Sequence, residues 1–422
     1  MKLWQKMLLG LVLGTAFGML LGPKAIMLKP ISTIFLGLLN MVVVLLIFSS
    51  MTSGITAVND MRKLGRVGLK AFFLYLVTTI IAIGIGLFFA KLFNPGRGIG
   101  LVCDQVNINV DGTPELMNLF LGLVPSNPIG ALANGHILQV IVFSVFLGLG
   151  INFAGEKGKP LANLLESLSA VMFRITGMIM QLAPYGIFAI MAWVAGTFGI
   201  GILYPLLKLL VAHYLACIIH SVLVFGGILM FMAKLRVMPF FKGMTDAITL
   251  AASTTSSAAS LPATLHCVEE NLGVSKSISS FVLPLGTTIN MNGTAIFQGI
   301  AAVFIAQAYG IDLGLQGLLL IVVTATLAAV GCAGIPGGGL ITLSIVLNSV
   351  GLPLEGIAIV AGIDRIRDII GTVVNILGDA VVTVYVAKKE GELDEERYNS
   401  GAYVSYEQHV RVKEARMKES QA

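Results

Sequence analysis

Apolar runs long enough to cross a bilayer recur along this chain and limit its fold more than any other feature. "AFFLYLVTTIIAIGIGLFFA" (71–90) is one, and the stretch from Tyr204 to Met232 is another, against a need of roughly 20 residues per spanning helix. A backbone in lipid must close its hydrogen bonds within the segment, so such spans are helices. With 56% apolar and only 12% charged residues, and a mean hydropathy of +0.91, the chain falls in the polytopic all-α membrane class. The run from Met7 to Gly22 reads as a retained span, because no A-x-A-like cleavage site follows it.

Several function classes drop out on the same reading. The four cysteines (Cys103, Cys217, Cys267, Cys332) are far apart and show no C-x-x-C spacing, which points away from a disulfide framework or a zinc site. The five histidines (His136, His213, His220, His266, His409) make no H-E-x-x-H or similar set. A membrane enzyme would need a nucleophile with a base, or a metal set, and neither is legible. A channel would need a continuous polar pore, where this sequence has localised polar sites, so a substrate-gated anion conductance stands only as the less favoured alternative. The net charge of +5 does not point to nucleic acid.

The distribution of charge is more informative. Basic residues cluster at Lys2/Lys6, at Arg62, Lys63, Arg66 and Lys70, at Lys157/Lys159, at Lys234/Arg236 and at Lys388/Lys389. The positive-inside rule puts these segments and both termini in the cytoplasm, and the polar stretch from Asn94 to Asn127 outside. The stretch from Lys388 reads as a solvated, partly helical cytoplasmic extension without chemistry of its own.

From about Val237 the clean spans give way to segments broken by small and polar residues, "TTSSAASLPATL" (254–265) and "GCAGIPGGGLITL" (331–343). Open backbone at membrane depth is tolerated only where it faces protein or a water-filled cavity, so both read as re-entrant hairpins. Each is followed by Asn-x-x-Gly-x-Ala, as "NMNGTA" (290–295) and "NILGDA" (375–380). Hairpin then helix, twice and entering from opposite sides, is an inverted repeat, which places a binding site near the midplane.

The last apolar segment carries a polar stripe. At roughly 100° per residue, Asp364, Asp368, Thr372, Asn375 and Asp379 fall within about 80° of one another. Intramembrane carboxylates cost roughly 2.5 kcal/mol or more each, so they should meet cations, donors or water. Asp379 beside Asn375 and the broken "NMNGT" segment is a hard-oxygen set suited to a small cation such as sodium. Asp368 and Thr372 are placed to hold an amine and a polar group of a substrate, while Ser256 and Ser257 offer hydroxyls and N–H groups to a carboxylate. Arg365 and Arg367 fall on either side of the stripe and read as braces for Asp364 or neighbouring helices.

These residues resemble the dicarboxylate/amino-acid:cation symporters, the glutamate transporter family. The match runs through "TTSSAASLP", "LPLGTTINMNGTAIFQG" (283–299), "GIPGGG" (334–339) and "GIDRIRDIIGTVVNILGDA" (362–380), with "AKLFNPG" (90–96) and "VPSNPIGALANG" (124–135) upstream. The resemblance implies eight membrane helices and two hairpins, a homotrimer in the plasma membrane, and an elevator mechanism. By it, residues 1–70 and 93–200 hold scaffold helices, 71–92 and 201–387 form the transport domain, and 388–422 form a tail. It further implies one sodium site from Asp379, Asn375, Asn290 and Gly286. A second would use Thr288 with Ala329, Val330 and Cys332, and a third Tyr75, Thr78 and Thr79 with Asn290 and Asn292. Thr255, Ser256, Ser257, Thr294, Ile335, Asp368, Gly371, Thr372 and Asn375 would line the substrate site.

Two positions depart from the family pattern. Asn292 stands where the common motif has Asp, which puts the number of coupled ions in question and leaves room for protons. Gly371 stands where acidic-substrate members carry Arg, whose forked guanidinium pairs with the substrate's side-chain carboxylate. The basic residue that some members place in the first hairpin or on the last helix corresponds to Thr255 or Ile369. Burying an unpaired second carboxylate is costly, so the expectation is a neutral amino acid. The alternative is an acidic amino acid or C4-dicarboxylate, with Arg365 or Arg367 replacing the missing charge.

Overall fold

The computed structural model describes residues 3–56, 61–101, 124–330, 334, 337–401 and 403–406. Among these, six helices are long and apolar enough to cross a membrane, and shorter apolar helices include Ala183–Thr197, Gly314–Val330 and Gly338–Ser349. The protein is an all-α, multi-pass membrane protein.

The first group of helices comprises α1 (Leu3–Leu21), α2 (Lys29–Thr56), α3 (Met61–Phe93), α4 (Ile137–Ala154), α5 (Lys159–Gln181) and α6 (Ala183–Phe198). α1 lies against α6, and α2 against α4 and α5. The α1–α6 approach is set by glycines four residues apart. A Cβ on Gly10, Gly14 or Gly18 would stand 2.5, 2.4 or 2.2 Å from a backbone oxygen of α6. Lipid supplies no hydrophobic drive between helices, so such small-residue seams let backbones touch. α3 leaves this group and packs on the second one.

That second group contains α7 (Leu203–Ile219), α8 (Thr245–Thr254), α9 (Ser257–His266), α10 (Lys276–Ile289), α11 (Asn292–Ala308), α12 (Gly314–Val330), α13 (Gly338–Ser349) and α14 (Asp364–Glu390). α11 is its centre: every residue from Asn292 to Ala308 except Gln307 is buried. α3, α7, α12, α13 and α14 surround it.

The breaks that the sequence marks by small and polar residues are where helices stop. α8 ends because Thr255 takes φ +50°, and α9 restarts on Ser256, whose Oγ accepts from the Ala259 N–H at 3.2 Å. α10 and α11 are one broken rod, interrupted where Asn290 (φ −101°, ψ 81°) and Met291 (φ −108°, ψ 55°) leave helical geometry. α12 and α13 form the second hairpin. The two tips touch: Ser256 Oγ donates to the Gly334 carbonyl at 2.8 Å, and the Ala258 N–H reaches the same oxygen at 3.1 Å.

The stretch after Lys388 corrects the expectation of a solvated extension. Up to Tyr406 it straps the base of the first hairpin. Tyr398 is fully buried and donates to the Arg236 carbonyl at 2.8 Å. The Val404 N–H donates to Asn271 and the Tyr406 N–H to Asp246, at 2.8 and 2.7 Å.

Candidate functional site

The polar stripe of α14 faces inward along its whole length. Asp364, Asp368, Thr372, Asn375 and Asp379 are all buried, with Asp379 only 1% exposed. α10, α11 and the first hairpin cover it.

At the lower end of the stripe, Asp379 Oδ1 accepts from Asn290 Nδ2 at 2.9 Å, and the same amide reaches the Asn375 carbonyl at 3.3 Å. Asn375 Oδ1 in turn accepts from the Gly293 N–H at 2.8 Å, which fixes the break between α10 and α11 to α14. Gly286 is required here, since a Cβ would stand 2.5 Å from Asp379 Oδ1 and 2.7 Å from Tyr75 Oη. Among the described residues two oxygens remain without hydrogen-bond partners, Asp379 Oδ2 and Asn290 Oδ1. No cationic side chain is paired with Asp379 among the described residues. A buried carboxylate with a second bare oxygen beside it is a poor structural device and a good cradle for a small hard cation.

Four further residues expected at a cation site are also brought together. Thr79 Oγ1 donates to Asn292 Oδ1 at 2.7 Å, Asn292 Nδ2 donates to Thr78 Oγ1 at 3.3 Å, and Thr78 donates to the Tyr75 carbonyl at 3.0 Å. The carboxamide of Asn292 thus supplies its own donor where the family pattern has an acidic group. Of the remaining expected set, Thr288 Oγ1 donates to the Leu285 carbonyl within its own helix, Ala329 is buried and Val330 ends α12. Cys332, like Ile335 of the substrate set, lies outside the described residues.

At the upper end the stripe is charge-paired. Arg367 is fully buried and donates through Nε to Asp364 Oδ1 at 2.9 Å, through Nη2 to the same oxygen, and through Nη1 to Asp368 Oδ1 at 3.1 Å. Its guanidinium stacks on Phe297 of α11, 4.0 Å from the ring centroid. Thr255, Ser256, Ser257, Thr294 and Thr372 are buried as well, and the serines sit where the hairpin tips meet. Arg365 is buried without joining this network: among the described residues its Nε and Nη1 have no partner.

Gly371 places no side chain of its own in the stripe. It does not open an empty space, because a Cβ there would lie 3.7 Å from the Gly293 backbone, 3.7 Å from His213 Nε2 and 3.8 Å from Arg367 Nη1. A guanidinium is therefore beside this position, delivered from one turn earlier.

Sequence reasoning missed several neighbours of the site. Gln298 Nε2 donates to Thr342 Oγ1 at 2.6 Å, tying α11 to the second hairpin. His213 Nε2 donates to the Arg367 carbonyl at 3.2 Å. A lone polar residue inside an apolar run was the only signal either of them gave.

A model of the sodium:dicarboxylate symporter family matches residues 3–389. The chain is 37% identical over 408 residues to a proton/sodium-glutamate symport protein of Geobacillus stearothermophilus, covering 93% of this chain and 96% of that one. It is 37% identical over 382 residues to the proton/glutamate-aspartate symporter of Escherichia coli K12, covering 88% and 87%. A C4-dicarboxylate transport protein of Rhodospirillum rubrum is 34% identical over 405 residues, covering 94% and 90%.

Proposed function

The chain belongs to the sodium:dicarboxylate symporter family, a family of membrane transporters and not enzymes, and from that premise we propose that it imports an acidic amino acid by cation-coupled symport. The observation that carries the coupling is the pair of bare, buried oxygens on Asp379 and Asn290. A cation there neutralises a carboxylate that otherwise stands desolvated, and it ties Asn290 at the break of the α10–α11 rod to α14. Cation and substrate then stabilise one closed arrangement, which is what coupling requires.

The choice of an acidic amino acid rests on the relatives, whose names give glutamate, aspartate and C4-dicarboxylates. Asp368 favours a substrate that carries an amine. In this reading Asp368 holds the amine, Ser257 and Asn375 the α-carboxylate, and Thr294 and Thr372 contribute hydroxyls. The body built from α3 and α7–α14 carries the site across the plasma membrane, as one subunit of a homotrimer with both termini in the cytoplasm. The coupled ion is sodium, with protons as the alternative.

One observation favours a second reading, a neutral amino acid: position 371 itself is Gly and contributes no cation. Uptake into proteoliposomes separates the two. Labelled aspartate, glutamate, succinate, serine and alanine are offered under an inward sodium gradient and, separately, an inward proton gradient. Accumulation of aspartate or glutamate is expected, and its dependence on one gradient names the ion. Accumulation of serine or alanine alone overturns the acidic reading, and accumulation under neither gradient overturns coupling.

A further inference from the structure

We propose that Arg367 is the cation that reads the substrate's second carboxylate, with its guanidinium seated beside Gly371 and against Gly339. The proposal rests on the acidic reading above and assigns that reading a residue.

The argument starts from spacing. Positions 367 and 371 are four residues apart on α14, so they are neighbours on one face of the helix. An Arg at 367 with a Gly one turn later directs its guanidinium over the bare turn. The structure shows this arrangement, with Nη1 at 3.8 Å from where a Cβ of residue 371 would be. The other wall is equally bare. A Cβ on Gly339 of α13 would stand 2.5 Å from Nη2, 3.1 Å from Cζ and 3.1 Å from Nη1, so any side chain there would displace the head group. Phe297 supplies the flat surface on which the guanidinium rests.

The second step is the division of its donors. Nε and Nη2 are committed to Asp364, which holds the group in place, whereas Nη1 goes to Asp368, the carboxylate that takes the substrate's amine. An incoming ammonium supplies Asp368 with a new counter-charge. Nη1 then exchanges Asp368 for the side-chain carboxylate of the substrate, and every charge remains paired. A neutral amino acid brings the ammonium and no second carboxylate, so Nη1 stays on Asp368 and the substrate gains nothing from it. A planar, always-charged fork suits this exchange, because it keeps one edge fixed while offering the other.

A brace and a reader make different predictions, and the ratio of acidic to neutral uptake separates them. Proteoliposomes holding the full chain are assayed for aspartate and serine uptake in wild type, Arg367→Met, Gly339→Ala and the double variant Arg367→Met/Gly371→Arg. For Arg367→Met the aspartate KM rises by about 100-fold or more, the scale of removing one partner of a buried charged hydrogen bond, and the aspartate-to-serine ratio collapses. The double variant regains aspartate preference, because the vacated space accepts a guanidinium from position 371. Gly339→Ala keeps the charge but shifts it, and lowers the ratio with the protein folded even where Arg367→Met is not recovered. An unchanged ratio in either single variant, or equal loss of both substrates, overturns the assignment and leaves Arg367 as a brace. Wild type that accumulates serine and not aspartate instead overturns the acidic reading itself.

Discussion

The two ends of α14 handle buried charge in opposite ways. Toward Asp364, two carboxylates and a guanidinium pair within the protein: Arg367 spans Asp364 and Asp368. Toward Asp379 the carboxylate has an amide for company and one oxygen without a partner. Both ends are buried to similar degrees, so solvent does not explain the contrast. The paired end can persist without cargo, and the unpaired end cannot do so cheaply, which is the ground on which cation dependence is proposed for Asp379 and substrate choice for the Arg367 network.

The largest test of this contrast is Asp379→Asn. It removes the uncompensated charge while keeping the shape, so gradient-driven accumulation falls by about 100-fold or more, whereas thermal stability in cation-free detergent holds or rises. Accumulation that still tracks the cation gradient in this variant would remove Asp379 from the coupling site. Asp364→Asn has the opposite signature. It leaves Arg367 with a single carboxylate, and losing one partner of a buried ion network costs about 3 kcal/mol or more. Thermal unfolding in detergent reads this as a clear drop in Tm. If both variants moved Tm in the same direction, the distinction between the two ends would be gone.

A finer test concerns Asn292. Its amide is satisfied by Thr78 and Thr79, so the neutral side chain closes a site that an acidic group would leave needing charge. Asn292→Asp restores that need. The dependence of uptake on cation concentration should steepen, by about one further ion per cycle, when flux reversal is titrated against membrane potential. An unchanged slope shows that Tyr75, Thr78 and Thr79 form no cation cradle with this residue.

Periodicity made the stripe of α14 legible, because five polar positions within one narrow arc of an apolar helix have few places to go but inward. The hairpins and the broken α10–α11 rod were legible too, through Pro, Gly and Ser at membrane depth. The bracing of Asp364 by Arg367 was legible, whereas its place beside position 371 stood only as an alternative. Its geometry depends on Gly339 and Phe297, which lie far off in the chain, and no single-helix wheel brings them beside position 371. The strap after Lys388 was missed for a similar reason: a charged, polar stretch reads as solvated, and the burial of Tyr398 against Arg236 exists only once the first hairpin is folded.

The smallest effects come from two interior glycines of the same helix, Gly371 and Gly378, about two turns apart. At Gly371 an added methyl meets its neighbours at 3.7–3.8 Å, ordinary contact distances, and an alanine in a helix interior gains up to about 1 kcal/mol over glycine. At Gly378 the same methyl would stand 2.5 Å from Asn290 Nδ2, 3.0 Å from Phe225 Cζ and 3.1 Å from Asn292 Nδ2. Overpacking of that kind costs about 1–3 kcal/mol, and here it presses on the two amides that line the unpaired end. Gly378→Ala should therefore lower Tm while Gly371→Ala holds or slightly raises it. Added cation should recover less of the Tm in Gly378→Ala than in wild type, because the displaced amide belongs to the cradle. Full recovery would place the strain in packing alone and leave the cation end of α14 with more room than its contacts imply.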